Sequence, residues 1–309
     1  MPSDLSVERL GALGTSQRLA RSRRRHRLTF AGILTQIATG LGVIFFTLFA
    51  GIPIVYMLSG SLKSLGEIYA GTPAIIPQAP TLENYRYVLF SALLQSSYPS
   101  NVVNSLTVAA TTIVLVMAVS LPASLVVARQ RFWLTTVMST WARVAQIVGG
   151  IVVIIPLYLI LRELHLTNNL LGVSLAQAIP GTAFSVWILT SFIKQIPSEL
   201  DDAAYIDGAN RWQVLWYIIL PLSRTGIASV VLIVFLISWN DFLDPVILIR
   251  SPELYTTMTG VFSYVGLEGQ VDWGKLLSVS LLNSLVPLLV IIIAERHIVR
   301  GLMAAAFKG

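Results

Sequence analysis

The sequence contains no cysteine. That excludes a disulfide framework, a thiolate metal site and a cysteine nucleophile. Charge is nearly as scarce: Asp, Glu, Lys and Arg together make up 12% of the residues, about half the share of an ordinary soluble domain. So little charge leaves most of the chain without a water-compatible surface. The three histidines (His26, His165 and His297) are dispersed, without the spacing of metal ligands, and no metal site is assigned. Ten-residue segments of alternating polarity do not recur either, which excludes a membrane β-barrel.

What is present is apolar. Hydrophobic residues account for 55% of the chain, and a bilayer core is crossed by about 20 apolar residues of helix. Six segments meet that length, at about 33–58, 102–128, 134–161, 169–193, 225–249 and 276–294. They must be helices, because a bilayer leaves no partner for open backbone groups. The expected fold is therefore all-α and integral to the membrane, with six transmembrane helices in a domain over 33–309. Residues 1–32 form a flexible basic arm ahead of it, whose arginines suit anionic lipid headgroups. The formal net charge of +6 belongs mostly to that arm, so it reads as membrane topology rather than nucleic-acid binding. With the N-terminus in the cytoplasm, 15 of the 21 Lys and Arg residues fall on the cytoplasmic side and five outside, with Arg143 inside the third span. The bias places both termini in the cytoplasm.

One stretch breaks the apolar pattern. Between Ile196 and Trp212 lie Glu199, Asp201, Asp202 and Asp207, four of the chain's 15 acidic residues. Pro197, Ser198 and the acids mark a helix start, and Asp207-Gly208 marks its end. The pattern is helix, turn, helix along the cytoplasmic surface over 197–221. Composition alone leaves two readings open: an amphipathic anchor, or a docking element for a soluble partner. Elsewhere, Gly269 and Gly274-Lys275 have the spacing of a phosphate-binding loop, but Leu276 stands where the metal-binding hydroxyl is required. ATP hydrolysis is therefore not expected on this chain, and no catalytic residue is assigned.

Ala203-Ala204, Asp207-Gly208-Ala209 and Leu220-Pro221 resemble, in spacing, the EAA loop of ABC importer permeases. Further matches run in order along the chain: Ser61-Leu62-Lys63, Pro80-Thr81-Leu82-Glu83-Asn84-Tyr85, Asn104-Ser105-Leu106, Ile155-Pro156-Leu157-Tyr158, Trp239-Asn240-Asp241-Phe242 and Val299-Arg300-Gly301-Leu302. The wording is similar to that of the carbohydrate-uptake branch, the maltose-transporter-type second permease. The resemblance implies a type I importer permease fold in the bacterial inner membrane. It implies a second homologous permease, two ATPase subunits that hold ATP and Mg, and an extracytoplasmic solute-binding protein. It assigns ATPase coupling to Asp202, Ala203, Ala204, Asp207 and Gly208, and an ATPase contact to the tail, Lys308 and Gly309. Asp202 departs from the family, which has Glu there. Asn104, Gln146, Tyr158, Gln177, Trp187, Trp239, Asn240 and Asp241 are candidates for the solute path, with Asp241 and Asp244 read as one helical turn apart near the outer end of the fifth span. The cargo implied is a carbohydrate or a related solute. A self-contained secondary transporter, or an importer permease for a non-sugar solute, is the alternative.

Overall fold

The computed structural model describes residues 30–70, 75–90, 97–130, 150–262 and 271–306, together with 133, 137, 140 and 264. Its described residues are helical, connected by short turns and loops. In chain order the helices are α1 (Phe30–Ser61), α2 (Leu65–Tyr69), α3 (Glu83–Phe90), α4 (Tyr98–Arg129), α5 (Gly150–Glu163), α6 (Leu170–Ile193), α7 (Glu199–Ile206), α8 (Arg211–Leu222), α9 (Arg224–Asn240), α10 (Leu243–Leu248), α11 (Thr257–Phe262) and α12 (Trp273–Ala306). Four are long and apolar enough to cross a bilayer: Thr35–Ser61, Tyr98–Arg129, Leu170–Ile193 and Trp273–Glu295. The bent pair α8 and α9 makes a fifth if it is one span. Most of the third expected span, with Gln146 and Arg143, lies outside the described residues, and α5 is its described end.

Two compact units are present, Met1–Tyr56 and Met57–Gly309. The first is, in its described part, a single apolar helix with stacked Phe45 and Phe49 rings. Its side chains are almost all exposed, as expected of a surface meant for lipid or for another membrane chain. The second unit holds the bundle. There α4 packs along α6, and the buried side chains along α4 are mostly small, hydroxylated or β-branched: Ser105, Val108, Ala109, Thr112, Val116, Ser120 and Ser124. These positions recur every three or four residues, so they share one face. In lipid no hydrophobic force drives helices together, and small side chains allow the close approach that dispersion and hydroxyl hydrogen bonds require. Val116, Leu189, Val230 and Val234 join α4, α6 and α9 in one apolar cluster.

The expected fifth span, 225–249, is corrected by the structure. The helix stops at Asn240, and Asp241 adopts extended backbone angles before α10 begins. Pro245 supplies the reason: it has no N–H for the carbonyl of Asp241, and its ring would crowd that carbonyl in a continuous helix. Placed in the first turn of a new helix, the missing donor costs nothing. The Asp241 side chain completes the break by accepting the Leu243 N–H at 3.1 Å. Asp241 and Asp244 are thus not one turn apart on one helix, as the sequence suggests.

At the other end of α9 the axes of α8 and α9 differ by 80°. A π-helical turn at Leu215–Ile219 precedes Pro221, and the Ser223 N–H donates to the Ile219 carbonyl at 2.8 Å. Just past the bend, Gly226 is buried against the Phe192 ring, whose Cγ would lie 2.5 Å from an added Cβ. Gly226→Ala is therefore expected to destabilise the chain by about 1–3 kcal/mol through overpacking. Thermal unfolding in detergent would measure this, and Phe192→Leu should recover part of the loss. An unchanged melting temperature in the single variant would show that the two helices have room to spare.

Candidate functional site

The polar stretch becomes a short helix, a turn and a second short helix. Three acids occupy the first turn of α7 (Glu199, Asp201 and Asp202), where they complement the partial positive charge of a helix start. Gly208 ends the helix with φ at +85°, a left-handed angle that glycine adopts without a Cβ penalty. Asn210 then starts α8 with a capping box: its side chain accepts the Gln213 N–H at 2.9 Å, and the Gln213 side chain accepts the Asn210 N–H at 2.7 Å. The inward faces of both helices bury Val214, Leu215 and Ile219 against Ile193 and Ile196, with Ala204 and Ala209 packed beside them.

The outward face carries Asp202, Ala203, Tyr205, Ile206, Asp207 and Gly208, all exposed. Ile206 is 86% exposed and Trp212 63%. Bare apolar side chains are common on this chain; those of α7 differ in standing beside acids, where lipid tails are not the expected neighbour. Four of the five residues assigned to ATPase coupling therefore share one exposed surface, and Ala204 sits at its inner edge. The tail residues Lys308 and Gly309 lie outside the described residues.

Asp201, unlike its neighbours, points inward. It is 5% exposed, and its carboxylate meets the guanidinium of Arg129, with Nε 2.6 Å from Oδ2. Nη1 of the same arginine donates to the Ile196 carbonyl at 2.9 Å. In the sequence, Arg129 counts only as one of the 15 basic residues on the cytoplasmic side, and Asp201 only as one of the four acids between Ile196 and Trp212. Once Ala204 is known to face inward, Asp201, three residues before it, must share that face, and a carboxylate there requires a partner; the sequence alone does not say which face is inward.

A second polar group lies within the bundle. Gln177 of α6 is buried; its Nε2 donates to Asp241 Oδ2 at 2.8 Å, while its Oε1 accepts from Ser238 at 2.6 Å and from Thr112 at 3.3 Å. One amide thus joins α4, α6 and the broken end of α9. The sequence pointed to Gln177 and Asp241, but not to Thr112 or Ser238. Hydroxyls are common helix glue, so their types alone carried no signal.

The other path candidates are scattered. Asn240 is exposed and lines a cavity of about 360 Å³ with Met258, Ser280, Asn283 and Ser284. Trp239 is buried, and its indole N–H donates to the Asn283 carbonyl at 3.2 Å. Asn104 donates to the carbonyls of Glu253 and Tyr255, at 2.8 and 3.0 Å. Tyr158 accepts from Arg250 at 3.2 Å, and Trp187 is half-exposed beside Phe184. Lys275, the last residue of the incomplete phosphate-loop pattern, is held by Asp272 at 2.7 Å and lies over the Tyr87 ring.

A multi-span helical membrane protein with a short, exposed polar helix between two of its long helices is the class these features define. Residues 120–300 match the model of the binding-protein-dependent transport system inner membrane component, and the chain belongs to that family, the permease subunits of ABC importers. Protein ORF1 of Streptomyces antibioticus, an ABC transporter permease by its description, is 31% identical over 233 residues, covering 75% of this chain and all of that protein. The trehalose/maltose transport system permease protein MalG of Thermococcus litoralis is 27% identical over 277 residues, covering 90% of this chain and 98% of the relative. Among solved structures, a bacterial ABC transporter that imports the acidic polysaccharide alginate contains a chain with a TM-score of 0.72. It is 19% identical, covering 87% of this chain and 97% of that one, a likeness of fold.

Proposed function

We propose that this chain is one of two permease halves of an importer for a carbohydrate or closely related solute. Both termini and residues 197–221 face the cytoplasm, where two ATPase subunits, holding ATP and Mg, dock on α7. A second, homologous permease completes the path, and an extracytoplasmic binding protein delivers the solute. The observation that carries this reading is the exposed surface of Asp202, Ala203, Ile206 and Gly208 on a helix anchored by its opposite face. The basic residues concentrated on the same side support the orientation. Asp241 and Asp244, at the broken end of α9, are the described acids an ion-coupled carrier would have to use, which makes gradient-driven uptake the discriminating measurement.

Gln177, Asn240 and Asp241 are the residues proposed to face the solute path. They carry hydrogen-bonding groups without the basic residues that a strongly anionic cargo would require. Purification of the tagged chain from native membranes is the test. A second permease and an ATPase are expected to accompany it, and uptake in vesicles is expected to require both ATP and the binding protein. Gradient-driven uptake by the isolated chain without ATP would refute the reading and establish a secondary transporter.

A further inference from the structure

Arg129 is the last residue of α4 and makes more polar contacts with other elements than any helix-terminal residue needs for capping alone. Its Nη1 holds the carbonyl of Ile196 at 2.9 Å, its Nη2 lies 3.4 Å from Asp201 Oδ1, and its Nε lies 2.6 Å from Asp201 Oδ2. The side chains are 17% and 7% exposed, so water competes weakly for either charge. The guanidinium meets the carboxylate through an ion-pair contact at Nε and a hydrogen bond from Nη2, while Nη1 fixes its plane on the Ile196 carbonyl. It ties α7 to the end of α4 and to the segment that follows α6.

The same helix is tied at its other end. Asn104 spans the carbonyls of Glu253 and Tyr255. Ser105 accepts the Thr257 N–H at 2.8 Å, and its hydroxyl lies 3.1 Å from that of Thr257. Between the two ends, Thr112 donates to the Ser174 carbonyl and to Gln177. Asn104 and Arg129 are 25 residues apart in sequence, or about 37 Å along a helix rising 1.5 Å per residue. One continuous helix thus touches the docking helix at one end and segment 253–257 at the other.

We propose that α4 is the strut that transmits movement between the ATPase-docking helix and segment 253–257 across the membrane, with Arg129 as the positioning residue that fastens α7 to it. This rests on α7 being the docking helix. When the ATPases displace α7, the buried pair leaves it little freedom to move independently of α4. By linkage, a contact made at segment 253–257 biases the ATPases to the same extent.

The test uses the whole transporter in proteoliposomes, with wild type, Arg129→Gln, Arg129→Lys, Asp201→Asn and the exchanged pair Arg129→Asp with Asp201→Arg. Each carries Glu199→Cys, exposed at the start of α7 and outside the coupling residues, for crosslinking to a cysteine placed on the ATPase. Arg129→Gln and Asp201→Asn are expected to lower solute moved per ATP about tenfold, within the range of allosteric coupling. Stimulation of ATPase by the binding protein should fall in parallel while the crosslink persists. The exchanged pair should recover part of both. Arg129→Lys, which keeps the charge but loses the fork, should fall between. Asn104→Ala should lower the stimulation, and combining it with Arg129→Gln should add little, because both cut one line.

A crosslink that persists with wild-type transport per ATP in Arg129→Gln would overturn the strut and leave docking intact. No crosslink even with Arg129 and Asp201 unchanged would overturn the docking reading itself. Should Arg129→Gln fail to accumulate in the membrane, wild-type transport per ATP in Arg129→Lys would overturn the strut. Fully independent effects of Asn104→Ala and Arg129→Gln would do the same.

Discussion

Asp202→Lys is expected to reduce solute uptake about a hundredfold, or about 2.8 kcal/mol at 1.4 kcal/mol per tenfold, while the subunit still inserts and the ATPases still hydrolyse ATP. Asp202 is exposed and has no ion-pair partner among the described residues. The helix itself therefore loses little: a charge reversal in an exposed first turn costs less than about 1 kcal/mol of helix stability. A transport defect much larger than that must arise from a contact with another molecule. Gly208→Pro should match it by a different route. Proline fixes φ near −65°, whereas Gly208 sits at +85°. It also removes the N–H that donates to the Tyr205 carbonyl at 3.1 Å. The turn between α7 and α8 would have to re-form, and α7 would present its face at a new angle. Uptake and ATPase rates measured together on both variants decide the matter: wild-type uptake in both would show that α7 is not where force enters.

Much of the architecture was legible because lipid imposes a simple length rule. The runs that became α1, α4, α6 and α12 are long, apolar and nearly free of charge, and no other structure satisfies their backbones in a bilayer. The turn between α7 and α8 was legible for a local reason, since Asp207-Gly208 is a helix-stop signal and Gly208 does adopt the left-handed angle. The end of the fifth span was not. Pro53, Pro122, Pro156, Pro180 and Pro287 all sit inside helices, so Pro245 gave no clear warning. What makes Pro245 a breaker is its partnership with Asp241, whose side chain starts the next helix. The Arg129–Asp201 pair was hidden differently. The two residues are 72 apart in sequence, and nothing local says that the end of α4 and the start of α7 meet. Only the packing of α4 on α6 brings them together.

The Gln177 network carries the second large effect. Gln177→Leu removes one amide and unsettles three groups: Ser238 loses its acceptor, Asp241 keeps the Leu243 N–H on its other oxygen, and Thr112 keeps only the Ser174 carbonyl at 3.4 Å. Each buried polar group left unpartnered costs about 1–3 kcal/mol, more if it is charged. The variant is therefore expected to lose about 2–4 kcal/mol, with Ser238 left unpartnered and Asp241 short of one donor. Gln177→Glu should be worse in kind, because it sets a second carboxyl where Asp241 now finds a donor. The double variant Gln177→Leu with Asp241→Leu should be less destabilised than the sum of the two singles, since removing both partners leaves no orphaned carboxyl. Thermal unfolding of the four proteins in one detergent measures the cycle. Additive losses would show that the 2.8 Å contact carries no coupling energy, and the joint between α6 and the broken end of α9 would then have to rest on apolar packing alone. If the cycle closes as expected, uptake by the double variant separates the roles of the network. Recovered stability with uptake still absent would place the Gln177 and Asp241 polar groups in the solute path, whereas uptake that returns with stability would make them helix-packing groups only.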